Sequence, residues 1–166
     1  MALAISFPLF ASLVILQSAI ISRMPLLQGT ADLVLLFLIS WAIQEKVSNA
    51  WQWAVVAGVI ANIATALPFG TLLIAYLLIT SLAQLIKRRI WKAPLLALLA
   101  TTLIGSVIVN LISYLAVSTK GILLPFFQVI ELVILPGTLL NLLLAIPIYI
   151  LVRDLALWLY PEELEV

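Results

Sequence analysis

Long apolar stretches, separated by short polar or Pro- and Gly-containing segments, follow one another along the whole chain. Each stretch approaches the roughly 20 residues that a helix needs to cross a bilayer. Six of them are predicted as membrane-spanning helices, at residues 1–22, 30–47, 51–67, 71–86, 93–117 and 138–160. The pattern therefore predicts an all-α polytopic membrane protein, a single domain (1–166) built as a bundle of about six transmembrane helices.

Segment 122–135 departs from this pattern. Pro125, Gln128 and Glu131 argue against a full span, while its apolar residues fit one face of a helix. We expect an interfacial or partly inserted helix here, ending at Pro136-Gly137 because these residues favour a helix boundary.

The predicted spans also carry signals at their ends. Thr30 is predicted to cap the second helix, with Asp32 in its first turn, where the helix dipole favours an anion. Trp51 and Trp53 open the third span and are predicted to lie at headgroup level, where amphipathic rings are enriched.

Composition narrows the protein class further. Hydrophobic residues make up 66% of the chain and charged residues 9%, against about 45–50% and about 25% in soluble domains. This excludes a soluble enzyme domain, a disordered chain and a coiled coil.

The sequence has no Cys and no His, so no cofactor is expected, and it shows no nucleophile motif, phosphate loop or metal-ligand spacing. We expect no enzymatic activity, and the net charge of +1 argues against a nucleic-acid partner.

Lys and Arg predict the orientation, because they accumulate on the cytoplasmic side. With six spans, one side holds Lys46, Lys87, Arg88, Arg89, Lys92 and Arg153, and the other holds Arg23 and Lys120. The richer side is assigned to the cytoplasm, which places both termini there. The acidic tail, 161–166, is then predicted to be a solvated cytoplasmic segment.

Small residues recur at intervals of four in two spans. The third span carries Ala54, Gly58 and Asn62, and the fifth carries Ala97, Thr101 and Gly105. Such faces let helix backbones approach closely. They are candidates for internal packing of the bundle or for binding a partner helix, and Asn141 in the last span is a candidate of the same kind.

Polar side chains inside the spans are few. Gln17, Asn62, Asn110 and Asn141 are the amides, and Asp32 lies near the predicted outer face. Groups of this kind need partners in hydrocarbon, so they predict interhelical hydrogen bonds or a transport site. Asp32 and Glu131 would form an acid–base pair only if they lay close together, which the sequence does not establish.

Several short motifs occur in an order that resembles a known family. They are Leu16-Gln17-Ser18, Ala31-Asp32-Leu33-Val34-Leu35-Leu36, Gly58 followed by Asn62, a Pro-Phe-Gly break before a helix ending in Lys-Arg-Arg, Leu135-Pro136-Gly137-Thr138-Leu139-Leu140-Asn141, Ala145-Ile146-Pro147-Ile148-Tyr149, and Arg153. Together they resemble MreD, the rod-shape-determining membrane protein of bacteria. The chain departs from the family where Ala31 replaces a frequent Pro and Asn62 a frequent Asp.

The resemblance implies a non-catalytic scaffold in the bacterial cytoplasmic (inner) membrane. MreD-like proteins belong to the elongasome, which directs side-wall peptidoglycan synthesis and determines rod shape. The implied partners are an MreC-like single-span protein, RodA with its transpeptidase, and membrane lipid, with no small-molecule substrate.

The MreD fold also resembles the substrate-binding subunits of energy-coupling-factor transporters. This leaves a vitamin-capture subunit as the alternative function. Such a subunit should offer a pocket with convergent polar groups and aromatics near one membrane face, and the predicted spans are poor in polar residues.

Overall fold

The computed structural model describes residues 2–19, 26–89, 93–122 and 124–160. These residues form six helices. They are α1 (Ala2–Ala19), α2 (Leu33–Ile43), α3 (Ala50–Ala64), α4 (Thr71–Arg89), α5 (Pro94–Ser118) and α6 (Phe126–Leu159). The predicted tail, 161–166, and the cationic residues Arg23 and Lys92 lie outside the described residues.

Three helices, α4, α5 and α6, are long and apolar enough to cross a membrane, with mean hydropathies of 1.4, 2.3 and 2.3. Helices α1, α2 and α3 are apolar but shorter. The fold is thus all-helical, as the sequence predicts, and its long helices are those of a membrane protein. The count of six spans and the orientation stay predictions.

Helix α2 is the centre of the bundle. All 11 of its residues are buried, and it contacts α1, α3, α4, α5 and α6. At about 1.5 Å per residue it is about 16 Å long, roughly half the thickness of the hydrocarbon core. It is shorter than the predicted segment 30–47 because Asp32 caps its start and the backbone becomes extended at Gln44.

An aromatic cluster fills the space between α1, α2 and α3. The rings of Trp41 and Trp53 lie 4.2 Å apart between centroids, and Phe10 meets Phe37 edge-on at 5.3 Å. Trp53 is fully buried in this cluster, so its ring packs in the core and does not contact lipid headgroups. Trp51 is exposed, because two residues along a helix change the face from core to surface.

Helix α6 continues through Pro136-Gly137, where the sequence predicted a break. Residues Ile130–Ile134 form a π-helical turn that joins the short helix Phe126–Val129 to Leu135–Leu159. Pro136 has no N–H for the carbonyl of Leu132 four residues earlier, and its ring crowds that carbonyl. The π-helical turn precedes this site, and the Gln28 N–H donates to the Leu132 carbonyl at 3.0 Å. Proline is tolerated inside membrane helices when a neighbouring segment satisfies the freed group in this way.

Gly137 serves the same junction. The loop before α2 closes with reciprocal backbone hydrogen bonds between Leu26 and Gly29, and it packs directly against α6. A Cβ on Gly29 would lie 2.4 Å from the Gly137 nitrogen, and a Cβ on Gly137 would lie 3.2 Å from the Thr30 carbonyl oxygen. The α1–α2 loop therefore packs directly on Pro136-Gly137 of α6.

Candidate functional site: a polar network at the start of the central helix

Asp32 is the N-cap of α2. Its backbone is extended, and its Oδ1 accepts the Leu35 N–H at 3.0 Å. The predicted cap, Thr30, lies two residues too early, because α2 begins at Leu33 rather than at residue 30. A capping carboxylate satisfies one of the four N–H groups that every helix start leaves without a partner.

Tyr76 of α4 donates its hydroxyl to the same carboxyl group. The hydroxyl lies 2.9 Å from Oδ2 and 3.1 Å from Oδ1 of Asp32, and the residue is only 2% exposed. The hydroxyl would otherwise be a buried polar group without a partner, which costs free energy in an apolar interior. The carboxyl group of Asp32 thus joins the start of α2 to α4.

Asn141 of α6 completes the network on the other side. Its Oδ1 accepts the Asp32 N–H at 2.8 Å, and its Nδ2 donates to Ser106 Oγ of α5 at 2.9 Å. Asn141 is 1% exposed and Ser106 is fully buried. A single amide therefore bridges three helices through one acceptor and one donor.

Gln17 adds α1 to the network, because its Oε1 accepts the Leu33 N–H at 2.9 Å. The N–H groups of Asp32, Leu33 and Leu35 are all satisfied by side chains, and these come from α1, α6 and the cap itself. Among the predicted polar contacts, the structure brings together Gln17, Asp32 and Asn141. The sequence analysis missed Tyr76 and Ser106, because a single Tyr or Ser in an apolar helix does not indicate which residue of another helix it will contact.

Asn62, Asn110 and Glu131 lie outside this network. Asn62 donates to the Gly58 carbonyl of its own helix at 3.0 Å and accepts from Leu72 N of α4 at 3.5 Å. Asn110 donates to the Ser106 carbonyl of its own helix at 2.8 Å. Glu131 is exposed and makes none of the hydrogen bonds described for Asp32. These contacts therefore do not support an acid–base pair of Asp32 and Glu131.

The small-residue faces lie at contacts inside the bundle. A Cβ on Gly58 would come within 2.6 Å of Leu73 Cα, so α3 and α4 touch almost backbone to backbone there. Gly105 of α5 faces Ile79 and Ile39. Ala54, Ala97 and Thr101 are fully or almost fully buried, and Thr101 Oγ1 donates to the Ala97 carbonyl at 2.7 Å.

A groove lies between α1 and the second half of α6, with Leu33 and Phe37 of α2 at its floor. Its volume is about 290 Å³. The walls are apolar apart from Ser12; they include Leu9, Leu13 and Leu16 on α1 and Ile148, Leu151, Val152 and Leu155 on α6. The groove is open to the side of the bundle, where lipid or another helix can reach it.

The hydrogen bonds of the network hold helices together. Its donors and acceptors are directed at one another, and no group of three or more His, Cys, Asp or Glu residues occurs in the parts of the chain that the structure describes. Hydrogen bonds among buried groups fix the relative positions of helices, because a shift would leave those groups unsatisfied.

The family of the chain follows from a comparison of its sequence with family models. The model for the rod shape-determining protein MreD matches residues 1–157. The chain belongs to the MreD family. The match covers all members of the polar network, the π-helical turn and the groove. MreD proteins are shape-determining membrane proteins, not a known family of enzymes, so this chain has a role in rod shape determination. Neither a curated protein nor a solved structure is significantly similar to it.

Proposed function

We propose that this MreD-family protein is a non-catalytic scaffold of the bacterial elongation machinery. It holds the transmembrane helix of an MreC-like single-span protein and so helps to position side-wall peptidoglycan synthesis, near RodA and its transpeptidase. Membership of the MreD family indicates the cellular process, which is rod shape determination. The geometry of the polar network and the groove supports the role of a scaffold in that process.

The observation that carries the proposal is the direction of the polar groups. Asp32, Tyr76, Asn141 and Ser106 bond to one another inside the bundle, and the groove between α1 and α6 is apolar apart from Ser12. A vitamin-capture site needs polar groups that converge on a ligand. The polar groups of this network bond to one another, so the network itself offers no such site, and this favours a scaffold over the capture alternative at this end of the bundle.

The groove gives the partner helix a place to bind. Lipid offers no hydrophobic drive between helices, so association depends on complementary packing. A groove of about 290 Å³ admits apolar side chains of a neighbouring helix but not the helix itself. The small-residue faces on α3 and α5 are covered by other helices of the same chain. The groove is therefore the surface that we assign to the partner.

A pair of matched substitutions on α6 tests this assignment. Leu151 lines the groove and Leu143 does not, yet each is 69% exposed. Leu151→Trp should fill the groove, reduce co-purification of the MreC-like partner from native membranes and fail to restore rod shape in depleted cells. Leu143→Trp should behave as the unchanged protein in both assays.

Two results would contradict the proposal. Equal partner retention in both variants would place the contact elsewhere on the protein. Normal rods after depletion, together with saturable binding of a vitamin by the purified protein, would favour the capture subunit instead.

A further inference from the structure

A second cavity, of about 280 Å³, lies at the opposite end of α2 from the polar network. It is enclosed by the C-terminal end of α2, the last turn of α4, the first turn of α5 and the second half of α6. Its polar and charged lining residues are Gln44, Glu45, Lys46, Lys87 and Tyr149. The cavity therefore combines charged groups with an apolar wall formed by α5 and α6.

Lys87 is the central cation of this cavity. It is partly buried, and its Nζ donates to the Gln44 carbonyl oxygen. An ammonium group has three donors, and one hydrogen bond to a carbonyl oxygen does not neutralise its charge. Lys46 also lines the cavity and donates to the Tyr160 carbonyl oxygen at 3.5 Å. Among the described residues that line the cavity, Glu45 is the one carboxylate, so this part of the wall carries a net positive charge.

The start of α5 adds to this charge. Pro94 and Ala97, in its first turn, lie on the cavity wall, and the start of a helix carries a partial positive charge, which favours an anion there. Arg88 and Arg89 follow Lys87 in the last turn of α4, but they do not line the cavity.

We propose that this cavity binds the headgroup of an anionic phospholipid, with its phosphate at Lys87 and its acyl chains along α5 and α6. A basic pocket between membrane helices at the end of a bundle has the chemistry of such a site. The cavity also has an apolar wall. Ala97 and Ala156 are buried there, and Leu157 is 48% exposed, so an acyl chain can contact Leu157 beside the charged groups, a contact that a soluble anion would not need. This site is separate from the groove proposed for the partner helix, which shares none of its lining residues.

The test uses the full-length protein in a zwitterionic detergent, titrated with phosphatidylglycerol or phosphatidylcholine and observed by native mass spectrometry. Phosphatidylglycerol should bind in a saturable manner and phosphatidylcholine should not. Lys87→Gln should weaken phosphatidylglycerol binding about fivefold, the effect of one cation near a membrane surface. Lys87→Arg, which keeps the charge, should retain binding and shows that the position tolerates substitution.

Two control variants separate the cavity from general basicity. Arg89→Gln removes the same charge two residues later from an exposed position that does not line the cavity, and should change binding by less than about twofold. Glu45→Gln should strengthen binding, because it removes a carboxylate from the cavity wall. Equal losses in Lys87→Gln and Arg89→Gln would overturn the assignment to the cavity.

A competition with inorganic phosphate distinguishes the source of the anion. Millimolar phosphate should leave bound phosphatidylglycerol in place if the acyl chains contribute to binding. Complete displacement of phosphatidylglycerol by phosphate, together with phosphate binding that is lost in Lys87→Gln, would indicate a site for a soluble anion and would refute the lipid proposal.

Discussion

The main-chain N–H of Asp32 donates to the side-chain oxygen of Asn141 at 2.8 Å, across 109 residues of sequence. The same amide donates to Ser106 Oγ at 2.9 Å. The start of the central helix is thus bound to the last helix through one buried side chain, and the loss of that side chain should be felt by three helices together.

Substitution of Asn141 by Leu should destabilise the fold by about 1–3 kcal/mol, because the Asp32 N–H and the Ser106 hydroxyl lose a buried partner. The measurement is the thermal unfolding of the purified protein in detergent. Asn110→Leu is the matched control, since the described hydrogen bond of its amide goes to a carbonyl of its own helix. It should cost clearly less, and an equal loss in both variants would show that the bridge contributes nothing specific.

Gly58→Ala should also destabilise the protein, by about 1–3 kcal/mol, as overpacking does in other cores. The new Cβ would lie 2.6 Å from Leu73 Cα, and backbone atoms cannot rotate away. Gly105→Ala meets the side chains of Ile79 and Ile39 at 3.0 and 3.3 Å, which can adjust. Thermal stability should therefore fall much further in the first variant, and the reverse order would contradict the packing described for α3 and α4.

Pro136→Ala should loosen the loop before α2. The alanine N–H would compete for the Leu132 carbonyl oxygen, which now accepts from Gln28 N. Hydrogen exchange at the amide of Gln28 should become faster. Pro147→Ala replaces another proline inside α6 and should leave the exchange rate of the Gln28 amide unchanged. Equal exchange rates in the unchanged protein and in both variants would show that Pro136 does not control the contact between the loop and α6.

The orientation can be tested with introduced cysteines, because the chain has none of its own. Thr119 and Ser48 are both exposed and lie in loops predicted on opposite sides of the membrane. An impermeant thiol reagent added outside the cell should label cysteine at position 119 and not at position 48. Labelling in the opposite pattern would invert the topology.

The apolar pattern was sufficient to predict an all-helical membrane bundle, because helix length and burial in lipid depend on short-range sequence. The resemblance in the order of the motifs was sufficient to predict the family. What failed were interpretations that depend on partners distant in sequence. Pro136-Gly137 looked like a helix end since Pro removes an N–H, but Gln28, from another segment, supplies the missing donor.

The candidate network shows the same limit. The amides and Asp32 could be singled out because polar groups are costly in hydrocarbon. Their pairing could not, since nothing local distinguishes Asn141, which bridges helices, from Asn110, which bonds to its own helix. Trp53 looked like a membrane anchor for a similar reason, although its ring stacks in the core against Phe37 and lies close to Trp41.

The complete burial of α2 has a consequence for how the protein is made. Asn141, which accepts one of the first N–H groups of α2, lies 109 residues after Asp32, and the helix that carries it also covers one side of α2. The ribosome therefore makes α2 well before the residues that complete its surroundings. At about 16 Å, α2 is too short to rest stably in lipid by itself. The final position of α2 in the bilayer therefore depends on the arrival of α6, so that α2 is fully integrated only after α6 has been made.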